Sequence, residues 1–384
     1  MLSTRPQERF STLRSWRHAD HSLIVACVLA SSIGLLAVYS ATRHALVQHG
    51  LSGTSTVDKQ ATFVFGGLIV MAICTFVDYR NLRGLAPYLF AGTIVMLLLV
   101  IPLGTSVKGT QARFDLGPYQ FQPSEWAKIV MVVCIAAFCA SFRGNLRGGH
   151  ITGLLLLSAI PIGLIYLQPD LGTALVFLAV LMGVLAVAGA KPRHLAVLGA
   201  LGLTAVVLVL QLGVLKQYQL DRFGAFLDQS SPSQRIAYNV SPAKYNLAQS
   251  KIAIGSGGIT GKGLFKGTQT NLAYVPEQST DFVFTVVGEE LGLLGSGTVI
   301  LLFSFITWRV WRAAATARDL FGTLMCVGVL CMLVFQIFEN IGMTMGIMPI
   351  TGIPLPFISY GGSSTFAAFA GIGLVLNVGM RRFN

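Results

Sequence analysis

The chain has 384 residues, of which 54% are hydrophobic and 11% are charged, and its mean hydropathy is +0.70. Soluble domains carry about 25% charged residues, so this composition excludes a soluble protein and predicts that lipid is the solvent for most of the chain. The net charge of +12 favours anionic membrane lipids, and not nucleic acid, as partners.

Membrane-spanning helices are the predicted elements. A helix needs about 20 apolar residues to cross the hydrocarbon core, and ten segments qualify: 21–41, 61–77, 86–103, 125–142, 151–167, 171–189, 194–215, 281–307, 320–346 and 362–380. Only Gln168, Pro169 and Asp170 separate the fifth segment from the sixth, which predicts a tight hairpin because proline cannot continue a helix. The predicted fold is an all-α polytopic membrane protein with about ten transmembrane helices.

Lysine and arginine are distributed unequally between the two sides of this predicted bundle. The short loops on the side of residues 1–20 carry most of them, whereas the short loops on the other side carry only Arg43, Lys59, Lys108 and Arg113. By the positive-inside rule, this bias places both termini in the cytoplasm. The predicted organisation is a basic cytoplasmic segment, 1–20, and a single membrane domain, 21–384, with a long outer loop, 216–280, between the seventh and eighth helices.

The long loop 216–280 is the largest predicted extramembrane segment. Residues 242–254 have an amphipathic pattern that favours a helix in the plane of the membrane interface. A glycine cluster follows at 255–263, and it is compatible with a phosphate-binding nest or with a flexible loop. Its spacing matches no nucleotide-binding motif, which favours the flexible loop.

Ionisable residues in the predicted spans are candidate functional residues, because charged groups are costly at membrane depth. Glu125 and Lys128 are three positions apart and therefore share one helix face. The others are Asp170, Asp281, Glu289, Glu290 and Glu339. Most of them belong to the outer half of the predicted bundle, which predicts a polar cavity beneath the long loop.

These residues also have purely structural interpretations. Glu125 and Lys128 could simply neutralise each other at a helix end. Asp170 and Asp281 fit N-cap positions, where a carboxylate accepts hydrogen bonds from backbone N–H groups, and position alone favours capping for both. The three remaining glutamates could join buried helix faces, and this interpretation is favoured for Glu290.

None of the six histidines lies in the long loop or beside the cluster of candidate acidic residues. Their positions argue against a nucleophile that is served by histidine. The candidate catalytic groups that remain are carboxylates, lysines and arginines. This set suits a general base that activates a hydroxyl, with cations that stabilise a phosphate leaving group.

Five ordered strings carry a family resemblance over nearly the whole chain. They are DLGPYQFQPSEWAK (115–128), QPDLGTAL (168–175), AQSKIAIGSGGITGKG (248–263), GTQTNLAYVPEQSTDFVFTVVGEELG (267–292) and NIGMTMGIMPITGIPLPFISYGGSS (340–364). Through them the chain resembles the SEDS family (shape, elongation, division and sporulation), the membrane glycosyltransferases of peptidoglycan synthesis. The GTQ string is more typical of the rod-elongation branch than of the division branch.

The resemblance implies a peptidoglycan polymerase that uses lipid II on the outer face of the bacterial cytoplasmic membrane. It implies that Asp281, the aspartate of the TDF string, is catalytic and that Glu125 and Lys128 line the cavity. The implied partner is a class B penicillin-binding protein, a transpeptidase. The chain departs from the family pattern at Arg113, which is displaced by one position and lacks a neighbouring tryptophan, and at Ser279, where relatives often carry histidine.

The residues and the resemblance together predict that Asp281 is the general base, taking the proton of the acceptor sugar's 4-hydroxyl. The candidate cations for the leaving diphosphate are Lys128, Arg222, Lys251 and Lys262, and Asp170 and Glu339 are further candidates for lining the cavity. Mg²⁺ is compatible with this chemistry, although no ligand pattern in the sequence requires it. The prolines and paired glycines of 352–364 predict a rigid re-entrant turn that shapes the cavity.

Two alternative functions belong to other classes. A lipid II flippase would also use a polar cavity, but alternating access calls for polar residues through the whole membrane, and the sixth and seventh spans contain almost none. A non-catalytic scaffold for the transpeptidase would leave the buried charges without a purpose.

Overall fold

The computed structural model describes residues 19–107, 110–117, 119–142, 146–211, 217–229 and 241–383. Nearly all of the predicted N-terminal segment 1–20 lies outside the described residues. The helices are α1 (His21–Gln48), α2 (Ser55–Phe76), α3 (Tyr79–Leu103), α4 (Pro123–Ser141), α5 (Gly148–Leu167), α6 (Leu171–Val187), α7 (Pro192–Gln211), α8 (Gln217–Leu227), α9 (Pro242–Gly257), α10 (Thr268–Asn271), α11 (Val283–Ala315), α12 (Leu320–Met345) and α13 (Gly362–Met380).

Each predicted span corresponds to one of the helices α1 to α7 or α11 to α13. Over the described residues, eight of these helices are long and apolar enough to cross a membrane. The other two are α6, a shorter apolar helix of 17 residues, and α7. The prediction of an all-α polytopic membrane protein is confirmed.

One small antiparallel sheet connects α3 to α4, in a segment for which no strand was predicted. Its strands are β1 (Thr105–Val107), β2 (Thr110–Leu116) and β3 (Tyr119–Phe121), in that order. Asp115 of β2 is opposite Gln120 of β3, and Arg113 donates a hydrogen bond from Nη1 to Oε1 of Gln120 at 3.2 Å. β1 and β3 have only three residues each, but the seven residues of β2 alternate Ala112, Phe114 and Leu116 with polar neighbours, which was an available signal for a strand.

The hairpin between α5 and α6 is confirmed. Leu167 ends α5 and Leu171 begins α6. The buried Gln168 between them donates a hydrogen bond from Nε2 to the backbone oxygen of Leu97 at 2.9 Å, which joins the hairpin to α3.

α4 and α13 are the most buried of the spans and form the centre of the bundle. α13 contains the run of small residues AAFAGIG at 367–373, and small residues let neighbouring helices approach closely in membranes. The buried Asn377 donates from Nδ2 to the backbone oxygen of Cys74 at 2.7 Å. These contacts hold α13 against α2.

α11 is broken at Gly292, where φ is 63° and ψ is −159°. The break frees backbone groups on both sides. The carbonyls of Glu289 and Glu290 accept hydrogen bonds from the N–H groups of Lys262 and Gly263 at 3.1 and 2.9 Å. Two N–H groups after the break donate back to the loop, from Leu293 to Gly258 at 2.9 Å and from Leu294 to Ile259 at 3.1 Å.

The break explains the glycine cluster 255–263. A Cβ atom at Gly261 would lie 2.1 Å from the backbone oxygen of Glu290, and one at Gly292 would lie 2.3 Å from the amide nitrogen of Gly261. Glycine is therefore needed for the close approach of two backbones. The structure gives the cluster a role that is neither a phosphate nest nor a flexible loop.

The predicted amphipathic segment 242–254 lies in α9. One face of α9 packs on α11 and α12: Oγ of Ser250 is 2.7 Å from Oγ1 of Thr285 and donates a hydrogen bond to the backbone oxygen of Thr344 at 2.8 Å. Its location at the membrane interface stays a prediction.

Candidate active site

A polar cavity of about 810 Å³ lies at one end of the bundle. It is bounded by the first turns of α4, α6 and α13, by α8, by the small sheet and by the segments 277–282 and 350–354. Its charged lining residues are Lys59, Arg113, Asp115, Glu125, Lys128, Asp170, Asp221, Arg222, Glu277 and Asp281. The cavity therefore brings together carboxylates and cations from distant parts of the sequence.

Asp281 lies in the turn that precedes α11 and lines the cavity. The N-cap of α11 is Phe282, whose side chain makes no capping hydrogen bond, so the prediction that Asp281 is the N-cap is wrong. The backbone oxygen of Asp281 accepts a hydrogen bond from Nδ2 of Asn340 at 2.8 Å. Just before it, the backbone oxygen of Thr280 accepts a hydrogen bond from Oγ of Ser359 at 2.5 Å. These bonds fix the backbone of Asp281 against α12 and the 350–361 segment.

The side chains of Arg222 and Asp281 both border the space next to Gly352. A Cβ atom at Gly352 would lie 3.2 Å from Oδ2 of Asp281 and 3.6 Å from Nη1 of Arg222. The guanidinium is oriented by a hydrogen bond from Nη1 to the backbone oxygen of Thr351 at 3.2 Å, and it lies 5.7 Å from the ring centroid of Tyr218. A carboxylate and a cation thus face the same part of the cavity.

Glu125 and Lys128 form an ion pair of 2.7 Å in the first turns of α4. Their side chains are only 6% and 2% exposed, yet both residues line the cavity. Pro123 occupies the first turn of the helix, where its missing N–H costs nothing. The i,i+3 pairing predicted from the sequence is confirmed, and it places a buried lysine beside the cavity.

Asp170 is the N-cap of α6, as predicted from its position. Its Oδ1 accepts a hydrogen bond from the amide of Thr173 at 3.0 Å, and its Oδ2 accepts one from the hydroxyl of Thr173 at 2.9 Å and one from Oγ of Ser124 at 3.2 Å. The residue lines the cavity as well. Its carboxylate joins α4 to α6 and so positions the cavity wall.

Three predicted site residues are not among the described residues that line the cavity. Glu339 is buried and accepts a hydrogen bond from the hydroxyl of Thr351 at 2.5 Å. Thr351 lines the cavity, and Glu339 lies behind it. Lys251 donates to Oε1 of Gln229 at 2.8 Å. Lys262 pairs with the buried Glu289 at 2.8 Å, which gives it a structural role beside the break in α11.

Glu289 and Glu290 join buried elements, in agreement with the structural interpretation. Oε2 of Glu289 accepts hydrogen bonds from the amide and the hydroxyl of Thr270 at 2.9 and 2.8 Å. Glu290 accepts a hydrogen bond from the hydroxyl of Ser40 on α1. Both carboxylates hold the helix α11 in place and neither lines the cavity in the described part of the chain.

The predicted re-entrant turn corresponds to the non-helical segment between α12 and α13. Ile353, Leu355, Phe357 and Ile358 of this segment are buried, and residues at its two ends, among them Thr351 and Tyr360, line the cavity. The amide of Tyr360 donates to the backbone oxygen of Ser279 at 2.9 Å. The turn therefore supports the segment that carries Asp281.

Several lining residues were missed because they lie in segments predicted as loops: Lys59, Asp221, Glu277, Tyr218 and Tyr360. The spacing of Tyr218 and Arg222, four positions apart on α8, was an available signal. Burial raises the pKa of the Tyr218 hydroxyl, which donates to the backbone oxygen of Pro169 at 3.1 Å. Burial likewise raises the pKa of Tyr360, so both phenols are donors near neutral pH.

The many-span bundle and the one-ended cavity of paired acids and bases define an integral membrane enzyme. The sequence model of a family of cell cycle proteins, which includes FtsW, RodA and SpoVE, matches residues 20–383 of this chain. The chain belongs to this family, the SEDS family, and is a membrane glycosyltransferase.

Named relatives and solved structures agree with this assignment. The peptidoglycan glycosyltransferase MrdB of Escherichia coli K12 is 37% identical over 355 residues, which are 90% of this chain and 91% of MrdB. Stage V sporulation protein E of Bacillus subtilis is 34% identical over 366 residues, covering 94% and 96%.

Two solved structures share the fold. RodA of Thermus thermophilus has a TM-score of 0.70 and 29% identity, covering 95% of this chain and 98% of its own. A chain of a peptidoglycan synthase complex that coordinates polymerization and crosslinking has a TM-score of 0.77 and 31% identity, covering 95% and 99%.

Proposed function

We propose that this chain polymerises lipid II into peptidoglycan strands on the outer face of the bacterial cytoplasmic membrane. The observation that carries the proposal is the carboxylate of Asp281 beside the guanidinium of Arg222, in a polar cavity at one end of the bundle. The relatives named as peptidoglycan glycosyltransferases support the substrate class.

The proposed orientation puts the cavity outside. The last turn of α1 and the first turns of α2, α11 and α13 are at the cavity end, and the lysine and arginine bias of the loops supports the opposite end as cytoplasmic. The segment between α7 and α11, which was predicted as the long outer loop, carries α8 and α9 at the cavity end. Residues 21–384 are then a single membrane domain.

In the proposed reaction, Asp281 accepts the proton of the acceptor sugar's 4-hydroxyl. The hydroxyl oxygen attacks the anomeric carbon of the donor with inversion, and the bond from that carbon to the diphosphate oxygen breaks. Undecaprenyl pyrophosphate leaves with the bonding electrons. Fixed charges that face the developing negative charge are the largest source of catalysis in such sites.

The cations for the leaving group are best supplied by residues that line the cavity. Lys128 and Arg222, two of the four predicted cations, do so, and the cavity adds Lys59 and Arg113. Lys128 is held in place by its pair with Glu125. The positions of Lys251 and Lys262 favour structural roles for these two residues.

A divalent cation stays a prediction. Over the described residues there is no group of three or more histidine, cysteine, aspartate or glutamate side chains that could hold a metal ion. Mg²⁺ commonly uses one or two carboxylates together with substrate phosphates, and Asp281 with Glu277 could supply them. Such an ion would neutralise charge on the diphosphate.

The proposed partner is a class B penicillin-binding protein, which crosslinks the strands. The similarity to a chain of a synthase complex that coordinates polymerization and crosslinking supports it. The proposed role in cell elongation rests on the GTQ string and on the similarity to MrdB and RodA.

The flippase alternative requires a polar path through the bundle. The charged residues that line the cavity gather at one end, and α6 contains no charged residue from Leu171 to Val187. This distribution favours an enzyme whose substrates stay at one membrane surface.

The test uses the purified chain with its transpeptidase partner and lipid II. We expect Asp281→Asn, which keeps the shape of the side chain, to abolish glycan strands, whereas Asp228→Asn, at an exposed aspartate at the same end of the bundle, retains them. Thermal unfolding of both variants checks that they fold. Polymer formed by Asp281→Asn would remove the residue from the mechanism, and translocation of lipid II without polymer would favour transport.

A further inference from the structure

Two consecutive buried residues of α12, Glu339 and Asn340, carry polar side chains next to the candidate active site. Polar groups inside a membrane span are costly and mark functional positions by default. The role of Asn340 follows from its contacts, because its Nδ2 atom donates hydrogen bonds to the backbone oxygens of Asp281 and Ile353, both at 2.8 Å. Glu339 takes no part in the proposed reaction and is not among the described residues that line the cavity. Its presence needs an explanation of its own.

The carboxylate of Glu339 is incompletely hydrogen-bonded, although the exposed fraction of the residue is 0%. Its Oε1 atom accepts a hydrogen bond from the hydroxyl of Thr351 at 2.5 Å. Its Oε2 atom has no hydrogen-bond partner in the part of the chain that the structure describes. A buried carboxylate oxygen without a donor costs more stability than a single hydrogen bond returns. The fold alone therefore does not account for a glutamate at this position.

Thr351 connects Glu339 to the cation of the candidate active site. The hydroxyl of Thr351 is bound to α12, and its backbone oxygen accepts the hydrogen bond from Nη1 of Arg222 at 3.2 Å. Thr351 belongs to the non-helical segment after α12, so no helical hydrogen-bond ladder fixes the direction of its carbonyl. The bond to Glu339 supplies this constraint, because it holds the side chain of Thr351 on a packed helix.

We propose that Glu339 is a positioning residue that acts through Thr351 and holds the guanidinium of Arg222 beside Asp281. Asn340 anchors the backbone of Asp281, and Glu339 anchors the residue that orients Arg222. Neighbouring positions on one helix thus determine where the acid and the cation lie. Supporting hydrogen bonds of this kind hold reacting groups in place, and a small displacement lowers the rate. The inference rests on the proposed function, in which Arg222 stabilises the departing diphosphate.

Direct contact between Glu339 and a substrate fits the structure less well. The residue is fully buried, and Thr351 lies between its carboxylate and the cavity. A ligand could reach Glu339 only after Thr351 had moved away and the hydrogen bond between them had broken. The contacts therefore favour an action on Arg222 from behind the cavity wall.

The test is a double-mutant cycle between Thr351 and Arg222. Thr351→Val removes the hydroxyl and keeps the shape of the side chain, and Arg222→Gln removes the cation. The purified variants receive lipid II together with the transpeptidase partner, and the rate of glycan formation is measured at saturating lipid II. We expect Thr351→Val to lower this rate on the order of tenfold in the chain that has Arg222. In the chain with Arg222→Gln it should lower the rate by less than about twofold, because residues that act through one another are not additive.

Conservative variants separate the hydrogen bond from the bulk of the side chains. Thr351→Ser keeps the hydroxyl, and Glu339→Gln keeps an oxygen that can accept its hydrogen bond. We expect both variants to retain most of the rate. Glu339→Leu removes the acceptor, and we expect it to match Thr351→Val and to show the same dependence on Arg222.

Thr75→Val is the control for loss of stability. Thr75 is also buried, and its hydroxyl donates a hydrogen bond to the backbone oxygen of Met71 at 2.7 Å, in the last turn of α2 and away from the cavity. Thermal unfolding is measured for every variant. We expect Thr75→Val to lower the unfolding temperature as Thr351→Val does, but to leave the rate of glycan formation unchanged.

A second measurement needs no turnover. Binding of undecaprenyl pyrophosphate, followed by the rise in unfolding temperature, is compared in the same four chains of the cycle, and we expect Thr351→Val to weaken it only where Arg222 is present. Equal effects of Thr351→Val with and without Arg222 would overturn the inference. If Thr351→Val does not fold, Thr351→Ala, which also lacks the hydroxyl, takes its place. Absence of polymer from the unsubstituted chain would instead contradict the proposed function, and the binding cycle would still decide the role of Glu339 and Thr351.

Discussion

At the residue scale, the candidate site depends on Gly352. Its φ of +79° lies in the left-handed region, and the space of its missing side chain is bordered by Asp281 and Arg222. A glycine here permits the backbone of the re-entrant segment to pass directly beside the carboxylate. A residue that has no functional group therefore leaves the space that the acid and the cation share.

We expect Gly352→Ala to lower the rate of glycan polymerisation on the order of tenfold. The new methyl group meets Oδ2 of Asp281 at 3.2 Å and displaces a carboxylate whose position decides proton transfer. The control is Gly50→Ala, with a φ of +71° and nothing within 4 Å, which carries the same backbone strain of about 1 kcal/mol. Rates and unfolding temperatures are measured for both, and equal rates would contradict the prediction.

The buried pair of Glu125 and Lys128 shows a second residue-scale principle. Burying two charges is costly, and removing one partner leaves the other uncompensated, at about 3–5 kcal/mol. A pair that only stabilised the fold could be replaced by apolar residues at little cost. The pair lies in the cavity wall, with both side chains under 10% exposed. This location supports the interpretation that the pair serves to bind a charged substrate.

At the element scale, the broken helix α11 connects the site to the loop before it. The segment from Val283 to Glu290 is buried, and the segment after Gly292 continues toward the other end of the bundle. Four backbone hydrogen bonds across the break replace those that the helix loses. The loop is thus part of the packing of α11.

We expect Gly292→Ala to destabilise the protein by about 2 kcal/mol or more, because the new methyl group would lie 2.3 Å from the amide nitrogen of Gly261 at a positive φ. Gly297→Ala on the same helix is the control. A Cβ atom there meets nothing within 4 Å, so we expect a gain of up to about 1 kcal/mol from helix propensity. Thermal unfolding and hydrogen exchange of residues 257–263 measure both effects, and unchanged exchange in Gly292→Ala would contradict the proposed contact.

At the scale of the whole molecule, the two ends of the bundle differ in chemistry. One end holds a cavity of about 810 Å³ with acids and bases, and the other holds a cavity of about 380 Å³ that is lined by Arg309, Arg312 and Arg382. Apolar helices separate the two. This asymmetry suits an enzyme that acts at one membrane surface.

The proposed orientation makes a direct prediction for intact cells. We expect Ser52→Cys, in the exposed loop between α1 and α2 at the cavity end, to react with a membrane-impermeant maleimide added from outside. Arg318→Cys, in the exposed loop between α11 and α12, is the matched position at the other end and should react only after lysis. The unsubstituted chain gives the background from its six native cysteines, and the reverse pattern would place the cavity in the cytoplasm.

The sequence by itself determined the class of protein, the ten apolar helices, the hairpin at Pro169 and the pairing of Glu125 with Lys128, because these depend on hydrophobic length and on neighbours three or four residues apart. Only the tertiary structure decided which charges share the cavity. Arg222 comes to Asp281 from 59 positions away through α8, whereas Lys262, much closer in sequence, is drawn to Glu289. Local patterns carry no information on such contacts, since the packing of helices and the break at Gly292 place these side chains.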